Sequence, residues 1–247
     1  MNINSIKSQF PIFEKKINGK PLVYLDSSNS SQKPLSVLNC LDNFYKNEFS
    51  NIGRSIHSLA VNATNKFEET RENVKKFVNA NSKDEIIFTK NATESINLIA
   101  STFGQQNIKK GDEILITELE HHSNYVPWHY LRETKGAIIK FAPINDDGDI
   151  IIEKLKELIS QKTKIIAITH LSNVTGTIVP IKEIVEIARK KNIPVLVDGC
   201  QSAPHIKIDV KDLDCDFYAI SGHKVYGPTG VGILYAKKNG LNSFPRI

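Results

Sequence analysis

Between positions 164 and 198 the chain reads Lys164-Ile-Ile-Ala-Ile-Thr169, then Ile181-Lys-Glu-Ile-Val-Glu-Ile-Ala-Arg-Lys-Lys191, then Pro194-Val-Leu-Val-Asp198. The outer pieces are short, apolar and rich in β-branched residues, and the middle piece carries a helical pattern. Strand, helix, strand is the unit of a parallel sheet. An uninterrupted apolar run such as 165–168 marks a strand covered on both faces. Outward from this unit the alternation continues. Further strands are predicted at Ile86–Thr89, Glu113–Thr117, 138–141, 217–220 and Gly232–Ala236, with helices at 92–103, 126–134 and 151–159. Two upstream helices are expected at 35–49 and 62–79. The last two strands are joined by a short Gly/Pro segment, which favours antiparallel neighbours there. The expected architecture is α/β: a mostly parallel, seven-stranded sheet flanked by helices.

With 247 residues, of which 40% are hydrophobic and 24% charged, the chain has the composition of an ordinary globular protein. The net charge of +5 is spread along the sequence, and arginine occurs only at 54, 71, 132, 189 and 246. That scarcity of the bidentate side chain argues against a nucleic-acid partner. Cys40, Cys200 and Cys215 form neither a C-x-x-C nor an even set, so neither a disulfide framework nor a metal site is expected. No apolar run is long enough to span a membrane, and residues 1–13 lack the core of a signal peptide. A cytoplasmic setting follows as the expectation.

Open α/β sheets bind ligands beyond the carboxyl ends of their strands. Here five strand ends are followed by polar groups: Asn91 to Glu94, Glu120 to His122, His170 and Asn173, Asp198 and Gln201, and Ser221 to Lys224. Lysines are commonly solvated surface charges, but Lys224 sits in a glycine-rich turn directly after a buried strand, where an amine can serve as a Schiff-base former. Asp198 ends an apolar strand, and a buried carboxylate needs a cationic partner such as a protonated pyridine nitrogen. Thr93 opens a helix whose free N–H groups suit a phosphate. An aldehyde-trapping lysine, a carboxylate for a pyridinium and a phosphate cradle together describe pyridoxal 5′-phosphate (PLP). Neither a phosphate-loop G-x-x-x-x-G-K-[ST] nor a G-x-G-x-x-G nor an H-E-x-x-H competes with that reading.

The segments Tyr24-Leu-Asp-Ser27, Gln32-Lys-Pro34, Asn91-Ala-Thr-Glu-Ser-Ile-Asn97, Glu120-His-His-Ser-Asn-Tyr-Val-Pro-Trp128, Thr169-His-Leu-Ser-Asn-Val-Thr-Gly176, Val197-Asp-Gly-Cys-Gln201 and Ser221-Gly-His-Lys-Val-Tyr-Gly-Pro-Thr-Gly230 carry a family resemblance. Together they resemble the cysteine desulfurases of the SufS/CsdA type, PLP enzymes of the class V aminotransferase fold (fold type I). The resemblance implies that Lys224 bears the cofactor and moves the Cα proton. It implies that Asp198 pairs with the ring nitrogen and Gln201 bonds the phenolic oxygen. His121 would stack on the ring and take part in proton transfer. Thr93, Ser221 and His223 would hold the phosphate, and Asn173 would lie near the ring oxygen or the substrate carboxylate. His57, His122 and His170 are expected to be structural, and Cys200 and Cys215 noncatalytic.

The implied reaction converts L-cysteine to L-alanine, passing sulfur to an enzyme persulfide for iron–sulfur cluster assembly. A sulfur-acceptor protein and a homodimeric state come with it, and no metal. A selenocysteine lyase or another carbon–sulfur lyase of the same fold is the alternative, as is a PLP-binding or dimerising fragment without turnover. Residues 1–20 are expected to form an arm that joins a small domain, and 21–247 the PLP-binding large domain. The C-terminal small domain of the family, with its persulfide cysteine and a carboxylate-binding arginine, is not identified in this chain. Two departures, Ser28-Asn29 and Gly53-Arg54-Ser55, fall where the family lines its substrate mouth.

Overall fold

The computed structural model describes residues 2–238; the part of the predicted large domain at 239–247 lies outside the described residues. Strands β1 (Lys16–Ile17) and β2 (Lys20–Pro21) pair as a small exposed hairpin. The sheet is built from β3 (Ile86–Thr89), β4 (Glu113–Thr117), β5 (Ile138–Ala142), β6 (Thr163–Thr169), β7 (Val195–Asp198), β8 (Phe217–Ser221) and β9 (Gly232–Ala236). Their order is β3-β9-β8-β7-β6-β4-β5. Strands β4 to β8 run parallel to one another, and β9 is antiparallel to both β8 and β3. Since β3 reaches the sheet through an antiparallel neighbour, it points the same way as the parallel strands.

Helices α1 (Ile3–Lys7), α2 (Leu35–Asn43) and α3 (Ser58–Val78) precede the sheet. Within it lie α4 (Ala92–Ile99), α5 (Gln105–Asn107), α6 (Val126–Lys135), α7 (Ile152–Leu158), α8 (Ile181–Arg189) and α9 (Val210–Leu213). The core is two apolar layers, one on each sheet face. Ile114, Ile116, Ile165, Ala167, Leu196, Phe217 and Ala219 pack with Ile96, Ile99, Trp128 and Leu131 of α4 and α6. The alternate residues Leu115, Ile166, Ile168, Val195, Val197 and Tyr218 pack with Leu155 of α7 and Ile184, Val185 and Ala188 of α8. Period-two alternation with both faces buried is what an unbroken apolar strand requires.

Three helix boundaries differ from the sequence expectation. The helix foreseen at 92–103 ends its regular turns at Ile99 and continues as a wider turn over Ala100–Gly104. There the Thr102 hydroxyl donates back to the Leu98 carbonyl, and an added Cβ on Gly104 would stand 2.6 Å from Leu131 Cδ1. The helix foreseen at 35–49 likewise gives way after Asn43 to a wider turn over Phe44–Glu48. Helix α3 begins earlier than 62, because His57 caps it by accepting the Ala60 N–H on Nδ1.

Candidate active site

Parallel pairing between β4 and β6 runs only from Glu113–Thr163 to Leu115–Ile166, and the carboxyl ends of these strands then diverge. The chain leaves β4 toward β5 on one side and returns as β6 on the other, so this is the point where strand order reverses. A cleft of about 770 Å³, counting its open mouth, lies beyond the carboxyl ends of the strands. Thr93, His121, Asn173, Asp198, Gln201, Ser221, His223 and Lys224 all line it. Every site residue expected from the sequence is therefore brought to one place.

Asp198 and the Ser221–Lys224 turn come from adjacent strands, in register as Asp198 beside Ala219. Asp198 is 5% exposed, and its Oδ1 accepts the Cys200 N–H at 3.0 Å. Gly199 has no room for a side chain, since a Cβ there would enter the ring of fully buried Tyr218. That close approach fixes the path of the chain just after Asp198. At the start of α4 the Ala92 N–H goes to Ser221 Oγ at 3.0 Å and the Glu94 N–H to Asn91 Oδ1 at 2.8 Å. Exposed Thr93 lies between them at the cleft. The Ser221 hydroxyl, holding α4 through its lone pair, keeps its proton for a ligand oxygen.

His121 accepts the Ser123 N–H on Nδ1 at 3.2 Å, which leaves Nε2 to carry the ring proton. Burial holds its pKa below the ordinary histidine value; Lys224 pushes the same way and Asp198 opposes. His223 is also lowered, first by burial and then by Lys224 and Lys33. Its Nδ1 lies 3.2 Å from Ser30 Oγ. The Gln201 side-chain amide donates to the Ser28 carbonyl at 2.6 Å, which leaves its other N–H for a ring oxygen. Asn173 is exposed at the rim.

Sequence reasoning passed over several lining residues. Ser123, Thr169 and Leu171 also wall the cleft, beside Asn29 and Cys200, which the sequence had singled out. Cys200, expected to be noncatalytic, is buried, and its Sγ lies 3.6 Å from Ser221 Oγ. Burial and then Asp198 raise its thiol pKa far above the ordinary value, so it holds no thiolate near neutrality. Glu120 is the larger omission. Its Oε1 accepts the Thr117 hydroxyl at 2.6 Å and the Thr169 N–H at 3.0 Å, and its Oε2 accepts Asn124 Nδ2 at 2.6 Å. One carboxyl thus ties β4, β6 and the His121 turn together where the strands diverge. Burial pushes its pKa up to about 8, against three hydrogen bonds that favour the ionised form. Its signal in the sequence was its place between a strand end and His121.

His170 is buried and shares a hydrogen bond of 2.9 Å with the Tyr218 hydroxyl, a structural role as expected. Gly53, Arg54 and Ser55 are not among the residues lining the cleft, whereas Asn29 of the other departure is. Among the described residues no group of three or more His, Cys, Asp or Glu is arranged to hold a metal ion. No helix among them is long and apolar enough to cross a membrane.

Residues 23–247 match the model of the aminotransferase class-V family. The chain belongs to that family. A probable cysteine desulfurase of Halalkalibacterium halodurans is 51% identical over 247 residues, covering 100% of this chain and 61% of that protein. The cysteine desulfurase CsdA of Escherichia coli superposes with a TM-score of 0.89 at 36% identity, over 99% of this chain and 60% of that one. SspA, solved in complex with cysteine, gives 0.84 at 29% identity, over 92% and 64%. The chain thus spans about three fifths of the length of these relatives. The class V sheet, with its site at the strand ends, is the fold that the sequence led us to expect.

The cleft fits PLP on its own geometry. A buried carboxylate, an amine on the neighbouring strand end and a helix start with a free hydroxyl are the three functions that the cofactor's ring nitrogen, aldehyde and phosphate call for.

Proposed function

We propose that this protein binds PLP on Lys224 and uses it to remove sulfur from L-cysteine, leaving L-alanine. The convergence of Lys224, Asp198 and the Thr93–Ser221 cradle in one cleft carries this reading. Relatives named cysteine desulfurases support it, as does the fold neighbour that binds cysteine. When bound, PLP supplies an electron sink that acidifies the substrate's Cα proton. The residues of this chain do the rest. Lys224 donates the amine that captures the cofactor, and moves the Cα proton once displaced. Asp198, taken out of water, holds the ring N–H. Thr93, Ser221 and His223 hold the phosphate, and Gln201 and Asn173 contact the ring oxygen side. His121, neutral with its proton on Nε2, lies across the cleft as a second proton carrier.

In this reading the sulfur leaves as a persulfide on a protein thiolate and passes to an acceptor protein of iron–sulfur cluster assembly. The setting is a cytoplasmic homodimer.

The test is covalent. Full-length protein mixed with PLP and treated with borohydride should carry the pyridoxyl group on Lys224, and Lys224→Ala should take none. A label on another lysine, or none at saturating PLP, overturns the assignment.

A further inference from the structure

The backbone carbonyl of His223, the residue before Lys224, is the meeting point of donors from a segment some 190 positions earlier. The Ser31 N–H reaches it at 3.1 Å, the Ser31 hydroxyl at 2.9 Å and the Lys33 ammonium at 2.8 Å. A carbonyl oxygen has two lone pairs, so three donors saturate it. The same Ser31 hydroxyl accepts the Tyr226 N–H at 2.9 Å, which makes it a bridge from one side of Lys224 to the other. Tyr226 has a φ of 67°, a left-handed conformation that a residue with a side chain resists. The lysine turn, closed internally by the Val225 and Gly227 N–H groups on the Gly222 carbonyl, is thus held from outside in this shape by Ser31 and Lys33.

Lys33 binds backbone oxygens alone, as Lys135 also does. Its second recorded bond is to the Ser31 carbonyl at 2.7 Å, and among the described residues it has no carboxylate partner. It is half-buried, and burial lowers its pKa. An ammonium drawn out of water toward two neutral carbonyls costs solvation that no salt bridge returns. Its place at the foot of the reactive turn gives that cost a purpose.

We propose that Lys33 is a positioning residue for Lys224: through the His223 carbonyl, with Ser31 beside it, Lys33 locks the turn that presents the Lys224 amine to the cleft. This rests on the reading of Lys224 as the cofactor-binding lysine. A charge-assisted hydrogen bond at this point orients the amine before PLP arrives, so its loss slows capture of the aldehyde.

The experiment follows the growth of the visible absorbance band and the borohydride-trapped label on Lys224 in full-length protein. Lys33→Met should slow both by about tenfold, the scale of one hydrogen bond to a charged group. Lys33→Arg, which keeps the charge and the donors, should recover to within about threefold of wild type. Ser31→Ala should fall between them, and its milder change keeps the test open should Lys33→Met not fold. Wild-type capture rates in Lys33→Met, or equal slowing in the Met and Arg variants, overturn the proposal while leaving the cofactor assignment standing. Failure of the wild-type protein to label on Lys224 removes the cofactor assignment, and this inference with it.

Discussion

At the scale of single residues, the fold has moved the ionisation of two buried groups that do not line the cleft, His170 and Glu120. Burial pushes the His170 imidazole down to about 4 from its ordinary 6.5. Between those values an unfolded chain binds a proton at this histidine and the folded chain does not. The contribution of His170 to stability is thus full above pH 6.5 and falls as pH drops toward 4, by about 3 kcal/mol at most. Glu120 runs the opposite way, since its raised pKa favours the folded state on the acid side. The two are separated by a variant. His170→Asn keeps an acceptor for the Tyr218 hydroxyl but cannot be protonated. Its stability deficit relative to wild type, from urea unfolding, should shrink between about pH 7.5 and about pH 4.5. A deficit that stays constant shows that His170 is protonated in the folded state.

At the scale of elements, the site depends on how closely β9 and α4 approach. A Cβ on Gly232 would stand 2.5 Å from the Asn91 Cα and carbonyl carbon, at the cap of α4. Gly232→Ala must push the strand and the cap apart, and backbone cannot rotate away as a side chain can. The expected cost is about 1–3 kcal/mol of stability, seen in denaturant unfolding. Because Ser221 Oγ is bonded to the Ala92 N–H, the same shift opens the phosphate end. PLP affinity, measured by absorbance titration, should therefore weaken as well. A variant that is less stable but binds PLP as wild type does would detach the cradle from this packing. The sequence showed both elements, since β-branched runs and helical spacing are local signals. It did not show the wider turns after Ile99 and Asn43, the first of which brings Gly104 up against Leu131 of α6.

At the scale of the whole molecule, the described residues supply a cleft but no accessible thiolate within it. Cys40 is exposed on α2 and is not among the residues lining the cleft. Cys200 lines it but is buried beside Asp198, and Cys215 is buried in the core; burial raises both thiols well above their ordinary pKa. Sulfur transfer requires a thiolate within bonding reach. The 247-residue polypeptide, given PLP, L-cysteine and a reductant, is therefore expected to release no sulfide above the rate of free PLP. Steady release that is lost in Cys40→Ser or Cys200→Ser would supply a nucleophile where the structure offers none.

The sequence by itself determined the alternation of strands and helices, the antiparallel β8–β9 pair and eight of the residues that meet in the cleft. Each of these is written in short-range terms: a residue type at a strand end, a helix start, a glycine-rich turn. The tertiary structure alone decided the rest of the strand order. That in turn made Glu120 the bridge across the diverging ends of β4 and β6, turned the Gln201 amide toward Ser28, and brought Ser31 and Lys33 onto the His223 carbonyl. Those contacts join residues 49, 173 and 190 positions apart, and no local pattern constrains the hydrogen-bond partner of a side chain at such a distance.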